Sequence, residues 1–480
     1  MRASHIINTL GIVTVFIALA MLPSTFVAFL NEEPSKYLWL LTFFILATGG
    51  GLLYKFCSVK EEISYREGFA VVTLTWFTVG IWGGIPYLFT GVFDSFIFSF
   101  FESASGFTTT GATAIVDIEV LPRSILLWRS LTHWLGGMGV VVLSVCILPL
   151  LGVGGTQLFH AEAPGPLKDK LTPRIASTAK ILWKIYFFFT LIYIVLIYFC
   201  GMNFFDAVCH GFSTLATGGF STKNASLIAY NSLPIEIITI AFMFLAGISF
   251  SLYYRLIRGD FRSFFKNSEL IFYCFILIIS MALIFLNVYK NVYDSLGEAL
   301  RFVVFQVISL STSTGFVTAD FNEWPPFSQL ILLFLMFMGA CAGSTGGGLK
   351  VIRVILVLKY ALRELRCLLY PGAMFQIKLR KNPVSKNIVQ GVLSIFVLSI
   401  FLIFIASLFM AFLGLDIVTS VTSVLACFFN IGPGLAKVGA VENYAHIPTL
   451  GKLILSVCMI MGRLEIFTVI IFLSPEFWKK

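Results

Sequence analysis

The sequence predicts an all-α polytopic membrane protein: two N-terminal spans plus four span–half-helix–filter loop–span repeats around a pseudo-fourfold pore. Three observations lead there. Of 480 residues, 58% are hydrophobic and 12% are charged, where a soluble domain carries about 25% charge. Apolar stretches of about 20 residues, enough to cross a hydrocarbon core, recur from end to end. Finally, a shorter segment that starts at an aspartate and stops at a glycine appears four times.

The first spans are expected at 6–30 and 37–57, joined by the polar turn Asn31-Glu32-Glu33-Pro34. The 6–30 run is long for the apolar core of a signal peptide, so it reads as a span. Four units follow. Their first spans fall near 68–91, 181–201, 268–288 and 388–413, and their second near 125–151, 233–256, 328–360 and 448–473. The chain thus divides into a two-span unit at 1–60 and pore repeats at 61–160, 161–265, 266–365 and 366–480, the third with a broken helix.

Between its spans each unit carries an apolar residue followed by aspartate: Phe93-Asp94, Phe205-Asp206, Tyr293-Asp294 and Leu415-Asp416. Each then reaches a glycine, Gly111, Gly218, Gly315 or Gly432. The distance suits a half-helix that enters the membrane and stops. Aspartate is a favoured N-cap and complements the positive helix end. Four occurrences in register predict an internal repeat.

The net charge of +9 does not point to nucleic acid. Lys and Arg concentrate in three segments: Lys168 to Lys180, Arg255 to Lys266, and Lys350 to Lys386. Basic loops stay cytoplasmic, so these mark the inner face, put both termini inside and have the half-helices dip from outside. The intervening segments are acidic, with Asp94, Glu102, Asp206, Asp320 and Glu442 among them. An acidic outer mouth attracts cations, although topology alone also explains the basic loops. Nine cysteines are scattered without a C-x-x-C pair, and the five histidines lack ligand spacing, so no resident metal site or disulfide framework is expected.

The glycine motifs read Thr108-Thr109-Thr110-Gly111, Leu215-Ala216-Thr217-Gly218-Gly219, Thr312-Ser313-Thr314-Gly315 and Phe429-Asn430-Ile431-Gly432. A cation crossing a bilayer exchanges its water shell for protein oxygens, and rings of backbone carbonyls perform that exchange. Aiming successive carbonyls at one axis requires positive φ, where glycine is unstrained. The candidate filter residues are therefore Thr109, Thr110, Gly111, Ala216, Thr217, Gly218, Ser313, Thr314, Gly315, Asn430, Ile431 and Gly432. Singly, such motifs also suit plain helix packing; the fourfold recurrence favours the filter.

These motifs resemble the TrkH/KtrB/HKT superfamily of potassium transporters over essentially the whole chain. Leu135-Gly136-Gly137-Met138-Gly139, Ala163-Pro164-Gly165-Pro166, Ala342-Gly343-Ser344-Thr345-Gly346-Gly347-Gly348 and Gly462-Arg463-Leu464-Glu465 add to the likeness, and the leading pair of spans resembles the TrkH branch. The resemblance implies potassium as the transported ion, with no bound organic cofactor, at a bacterial inner membrane. Glycine at all four filter positions accords with potassium. It also implies a homodimer docked on a cytosolic nucleotide-binding ring, TrkA, with the basic loops at 152–180 and 361–388 as candidate contacts.

Clustered glycines should unwind the third unit's second span, and the resemblance implies that Gly343, Ser344, Thr345, Gly346, Gly347 and Gly348 form a gating loop beneath the filter. A close helix–helix contact is the alternative. A nucleotide P-loop is a poorer fit, because Lys350 comes one place late and Val351 stands where Ser or Thr is needed. Arg463 lies in an apolar helix, where a central arginine costs about 2.5–3.5 kcal/mol and faces water or a partner. The resemblance sets it beside the gate; pairing with Glu465 or snorkelling is the alternative. A secondary transporter of organic solutes is a competing class, but it predicts two halves rather than four units. An enzyme is not expected, since no hydrolase or zinc-protease motif is present.

Overall fold

The computed structural model describes residues 3–57, 64–142, 171–379 and 382–479. The long apolar runs form helices. The leading pair is α1 (Ala3–Leu30) and α2 (Lys36–Phe56). The first unit contains α3 (Tyr65–Phe89), the short α4 (Phe96–Phe107) and α5 (Arg123–Val142). The second contains α6 (Leu171–Phe199), α7 (Phe204–Leu215), α8 (Leu233–Gly247), α9 (Phe250–Ile257) and α10 (Phe261–Phe265). The third contains α11 (Ser268–Val288), α12 (Leu296–Ser311), α13 (Pro326–Met338) and α14 (Val351–Leu369). The fourth contains α15 (Lys386–Phe412), α16 (Ile417–Phe428), α17 (Thr449–Arg463), α18 (Ile466–Leu473) and α19 (Pro475–Trp478).

The long helices are apolar all round, as lipid requires. In α15 only 28% of the most apolar 18-residue window is buried within the protein, while Phe401, Phe404 and Phe412 stand exposed. Facing hydrocarbon, they need no protein partner. The half-helices α4, α7 and α16 have 12 residues each. At 1.5 Å per residue they reach about 18 Å, short of a hydrocarbon core of about 30 Å.

The structure corrects the expected caps. Of the four motif aspartates only Asp416 is an N-cap, its carboxylate accepting the Thr419 N–H at 3.0 Å. Asn203 caps α7, with Asp206 inside the first turn. Ser95 and Ser295 take the cap positions of α4 and α12, one residue after Asp94 and Asp294. The aspartates share a negative position near the positive helix end rather than one hydrogen bond.

The second spans also differ from expectation. Ten spans were expected. Among the described residues six helices are long and apolar enough to cross, or eight when two bent pairs count as one span each. The third unit breaks over 339–350, as the glycines predict. Units two and four break as well: α8 and α9 meet at 91°, α17 and α18 at 116°. Neither break has a glycine cluster to announce it. The second unit's break is held by the third unit's loop, since Cys341 N–H donates to Gly247 O at 3.1 Å and Phe250 N–H donates to Gly343 O at 2.9 Å. Backbone groups freed by a bend in lipid must find partners, and here they lie in another repeat. The expected end of the first unit's second span, Lys168 and Lys170, and Ala163-Pro164-Gly165-Pro166 lie outside the described residues.

Hydrogen bonds from the Thr419 backbone and side chain hold the Asp416 carboxyl below the usual carboxylate range. Its capping contribution is therefore complete at neutral pH and disappears as pH falls through that lowered value. Asp416→Ala is expected to cost about 1 kcal/mol, read as a lower thermal midpoint in detergent at pH 7, whereas Asp94→Ala has less effect.

Candidate functional site

Each half-helix ends in the same six-residue hydrogen-bonded stop. The residue after the C-cap has positive φ: Thr109 (54°), Thr217 (54°), Ser313 (59°) and Asn430 (55°). The next N–H returns to the fourth-last turn position: Thr110 to Ser105 O at 2.8 Å, Gly218 to Ser213 O at 2.9 Å, Thr314 to Ser309 O at 2.9 Å and Ile431 to Ala426 O at 2.9 Å. This is the Schellman stop, which normally uses glycine at the left-handed position. Hydroxyl and amide residues there accept local strain, a pattern that concentrates at functional sites.

Two residues further on comes a positive-φ glycine: Gly111 (82°), Gly219 (83°), Gly315 (78°) and Gly432 (94°). The second loop's equivalent is thus Gly219, one residue later than the sequence register gave. Gly218 aligns with Thr110, Thr314 and Ile431, and Ala216 is the helix C-cap. The missed signal is a polar residue two places before the glycine, as in Thr109-x-Gly111, Ser313-x-Gly315 and Asn430-x-Gly432. Only Thr217-x-Gly219 continues it.

The glycines meet the loops in cyclic order. A Cβ on Gly111 would strike Gly218 O, one on Gly219 would strike Thr314 O, and one on Gly315 would strike Ile431 O. One on Gly432 would lie 2.7 Å from Thr110 O. The four loops therefore form a closed ring, with the carbonyls of Thr110, Gly218, Thr314 and Ile431 in equivalent positions. Asn430 Nδ2 ties the fourth loop to the first, donating to Thr110 Oγ1 at 2.9 Å.

Polar side chains on the half-helices brace the outgoing limbs. Glu102 accepts from Thr113 Oγ1 and Ala114 N–H at 2.9 Å each. At the same register His210 Nε2 meets Ser221 Oγ at 3.0 Å, and Gln306 Nε2 donates to Ala319 O at 3.2 Å. In the fourth unit Thr422 bonds both N–H and C=O of Leu435. Glu102 is fully buried and pairs with Arg129 Nε at 3.0 Å. Hence the expectation that Glu102 charges an acidic mouth is corrected: its charge is spent inside the fold. Asp206 is likewise buried and accepts Tyr230 Oη at 2.9 Å. Of the expected acidic set, Glu442 lines the cavity above Gly111, Gly219, Gly315 and Gly432.

Beneath the ring a second cavity is lined by Gly343, Ser344, Gly346, Gly347, Gly348, Asn430, Gly462, Arg463 and Glu465. Thr345 is buried just behind it, its hydroxyl donating to Leu215 O at 3.0 Å and Ala246 O at 3.2 Å. Gly347 N–H donates to Ser313 Oγ, and Gly348 N–H to Phe429 O at 3.0 Å. The segment thus bonds the inner ends of half-helices two, three and four. Gly136 and Gly462 give the same closeness elsewhere, since a Cβ would collide with Phe107 O and Phe428 O respectively. Arg463 is the last residue of α17, so it sits at a bend rather than within a continuous helix. Glu465 pairs with Arg353 at 2.5 Å, and among the described residues Arg463 Nε and Nη2 are buried without a hydrogen-bond partner.

Four half-helices whose tips meet in one ring, inside a lipid-facing helical shell, define a polytopic membrane transport protein. The chain belongs to the TrkH family of cation transport proteins, whose model matches residues 38–480. It is 40% identical over 488 residues to the Trk system potassium uptake protein TrkH of Halomonas elongata, and 38% identical over 489 residues to that of Escherichia coli K12. Both alignments cover 100% of each chain. The crystal structure of the potassium transporter TrkH from Vibrio parahaemolyticus superposes with a TM-score of 0.92 at 36% identity, covering 100% of both chains.

Arg129 and Phe220 lie outside the candidate residues read from sequence; a lone arginine in an apolar helix was their available signal. Glu102→Gln should leave Arg129 buried and unpaired, costing about 3–5 kcal/mol, measured as a lowered thermal midpoint. Gly219→Ala is expected to fold with flux reduced at least about tenfold, assayed by ion uptake into proteoliposomes.

Proposed function

We propose that the chain takes up potassium through a filter formed by the four loops, opened and closed at the 343–348 segment. The observation that carries this is the cyclic contact of four loops with carbonyls at equivalent positions. Peptide oxygens around one axis replace a monovalent cation's water shell, and the carbonyl ends of the half-helices favour a cation below them. An inside-negative potential supplies about 2.3 kcal/mol per charge per 100 mV, enough to drive uptake without a coupled ion.

In this reading the filter comprises Thr109 to Gly111, Thr217 to Gly219, Ser313 to Gly315 and Asn430 to Gly432. The gate is Gly343 to Gly348 with Arg463, whose charge under the ring repels cations. A bacterial inner-membrane location with cytoplasmic termini, a homodimer, and a TrkA-like cytosolic ring as regulator complete the proposal. They are supported by family membership and by the basic segments.

The test is ⁸⁶Rb⁺ uptake into liposomes containing only this protein, with K⁺, Na⁺ and amino acids as competitors. Competition by K⁺ is expected; uptake that saturates with amino acid and ignores K⁺ would overturn the proposal. Arg463→Gln, or shortening of 343–348, should raise flux by about tenfold, the scale of about 1.4 kcal/mol off a barrier. Unchanged flux from folded variants would count against the gate.

A further inference from the structure

We propose that His133 is a positioning residue for ion discrimination: with Arg129 it holds Phe220 and so fixes the Gly218 carbonyl in the ring. The inference rests on the four loops being the ion path. Arg129 and His133 stand one turn apart on α5, and both side chains are fully buried or nearly so. The His133 ring stacks on Phe220 with centroids 4.1 Å apart and planes 18° from parallel. The Arg129 guanidinium carbon also lies 4.1 Å from that ring's centroid. Phe220 directly follows Gly219, and it is 2% exposed.

The His133 ring also covers the peptide that carries the carbonyl. A Cβ on Gly218 would collide with Nδ1, Cγ and Cε1 of His133. The Gly218 backbone therefore packs directly against the imidazole, with no room for a side chain between them. Arg129 extends the brace to the first loop. Besides its Glu102 pair it donates to Thr113 Oγ1 at 3.2 Å and to Ser221 O at 3.3 Å. One turn of α5 thus ties the outgoing limbs of loops one and two to a single aromatic stack.

The loops are not braced alike. At the position of Phe220, loop three has Phe316, tilted 32° against His210 with centroids 5.7 Å apart. Loops one and four have Ala112 and Pro433. Stacked rings allow little lateral movement in a close-packed interior, so loops two and three carry the rigid half of the ring. In a filter that works by snug fit, discrimination between cations of different radius depends on how far the carbonyls can follow the smaller ion. Loosening the stack should admit Na⁺ more than it slows K⁺.

The test compares His133→Ala, His133→Phe and Phe220→Leu in proteoliposomes, reading the ratio of K⁺ to Na⁺ needed to compete ⁸⁶Rb⁺ uptake. His133→Ala and Phe220→Leu are expected to lower discrimination about fivefold, in line with the loss of one aromatic stack. His133→Phe, which keeps a flat ring, should stay close to the unaltered protein. Should His133→Ala fail to fold, Phe220→Leu carries the same comparison. K⁺-competed flux with an unchanged ratio in the alanine and leucine variants would overturn the brace alone, as would equal loss in His133→Phe. Absence of K⁺-competed flux in the unaltered protein would overturn the ion path and the brace together.

Discussion

Hydrocarbon offers a peptide group no hydrogen-bond partner, and this constraint shapes every irregular segment of the protein. Four half-helices stop partway across a bilayer, and each leaves a turn of unbonded carbonyls. The Schellman stops satisfy some of them locally through Thr109, Thr217, Ser313 and Asn430 and the residues that follow. The 343–348 segment takes others: Thr345 Oγ1 bonds Leu215 O, and Gly348 N–H bonds Phe429 O. Beyond the stops, the carbonyls of Thr110, Gly218, Thr314 and Ile431 each face the neighbouring loop's glycine around the ring. In the proposed filter, a cation compensates these polar groups, which are costly to leave alone in lipid.

The same constraint explains why the broken helices depend on one another. The carbonyls of Ala246 and Gly247, freed by the bend after α8, accept from Thr345 and Cys341 of the third unit. Phe250 N–H, at the start of α9, donates to Gly343 O. The fourth unit's bend brings Arg463 and Glu465 to the cavity under the ring, and Glu465 holds Arg353 of α14. A movement of residues 343–348 would therefore break bonds to the second, third and fourth units at once. A segment that bonded to one helix alone would lack that cooperativity.

Buried charge serves the outer limbs differently. Glu102 and Arg129 lie at most 1% exposed, and such a pair contributes little net stability over an apolar substitute. Its geometric value is greater. Through Thr113, Ala114 and Ser221 it fixes two loops that cannot form a sheet or helix of their own. His210, Gln306 and Thr422 brace the outgoing limbs of the other three units by hydrogen bonds without an ion pair.

Composition and motif spacing were sufficient to determine the lipid solvent, the two leading spans, the four half-helices and the break over 339–350, because each follows from local chain chemistry. Apolar length sets a span, and the glycines at 339–348 weaken the helix there, although Gly49-Gly50-Gly51 stay helical within α2. Three features depended on tertiary contacts. Gly219 rather than Gly218 takes the left-handed position, because the ring requires a glycine against Thr314 O. The bend after Gly247 persists because the third unit satisfies the backbone there, and neither it nor the bend after Arg463 has a glycine cluster to signal it. Glu102 turns inward because Arg129, 27 residues away, meets it. Each is decided by a partner distant in the chain, which local propensity does not record.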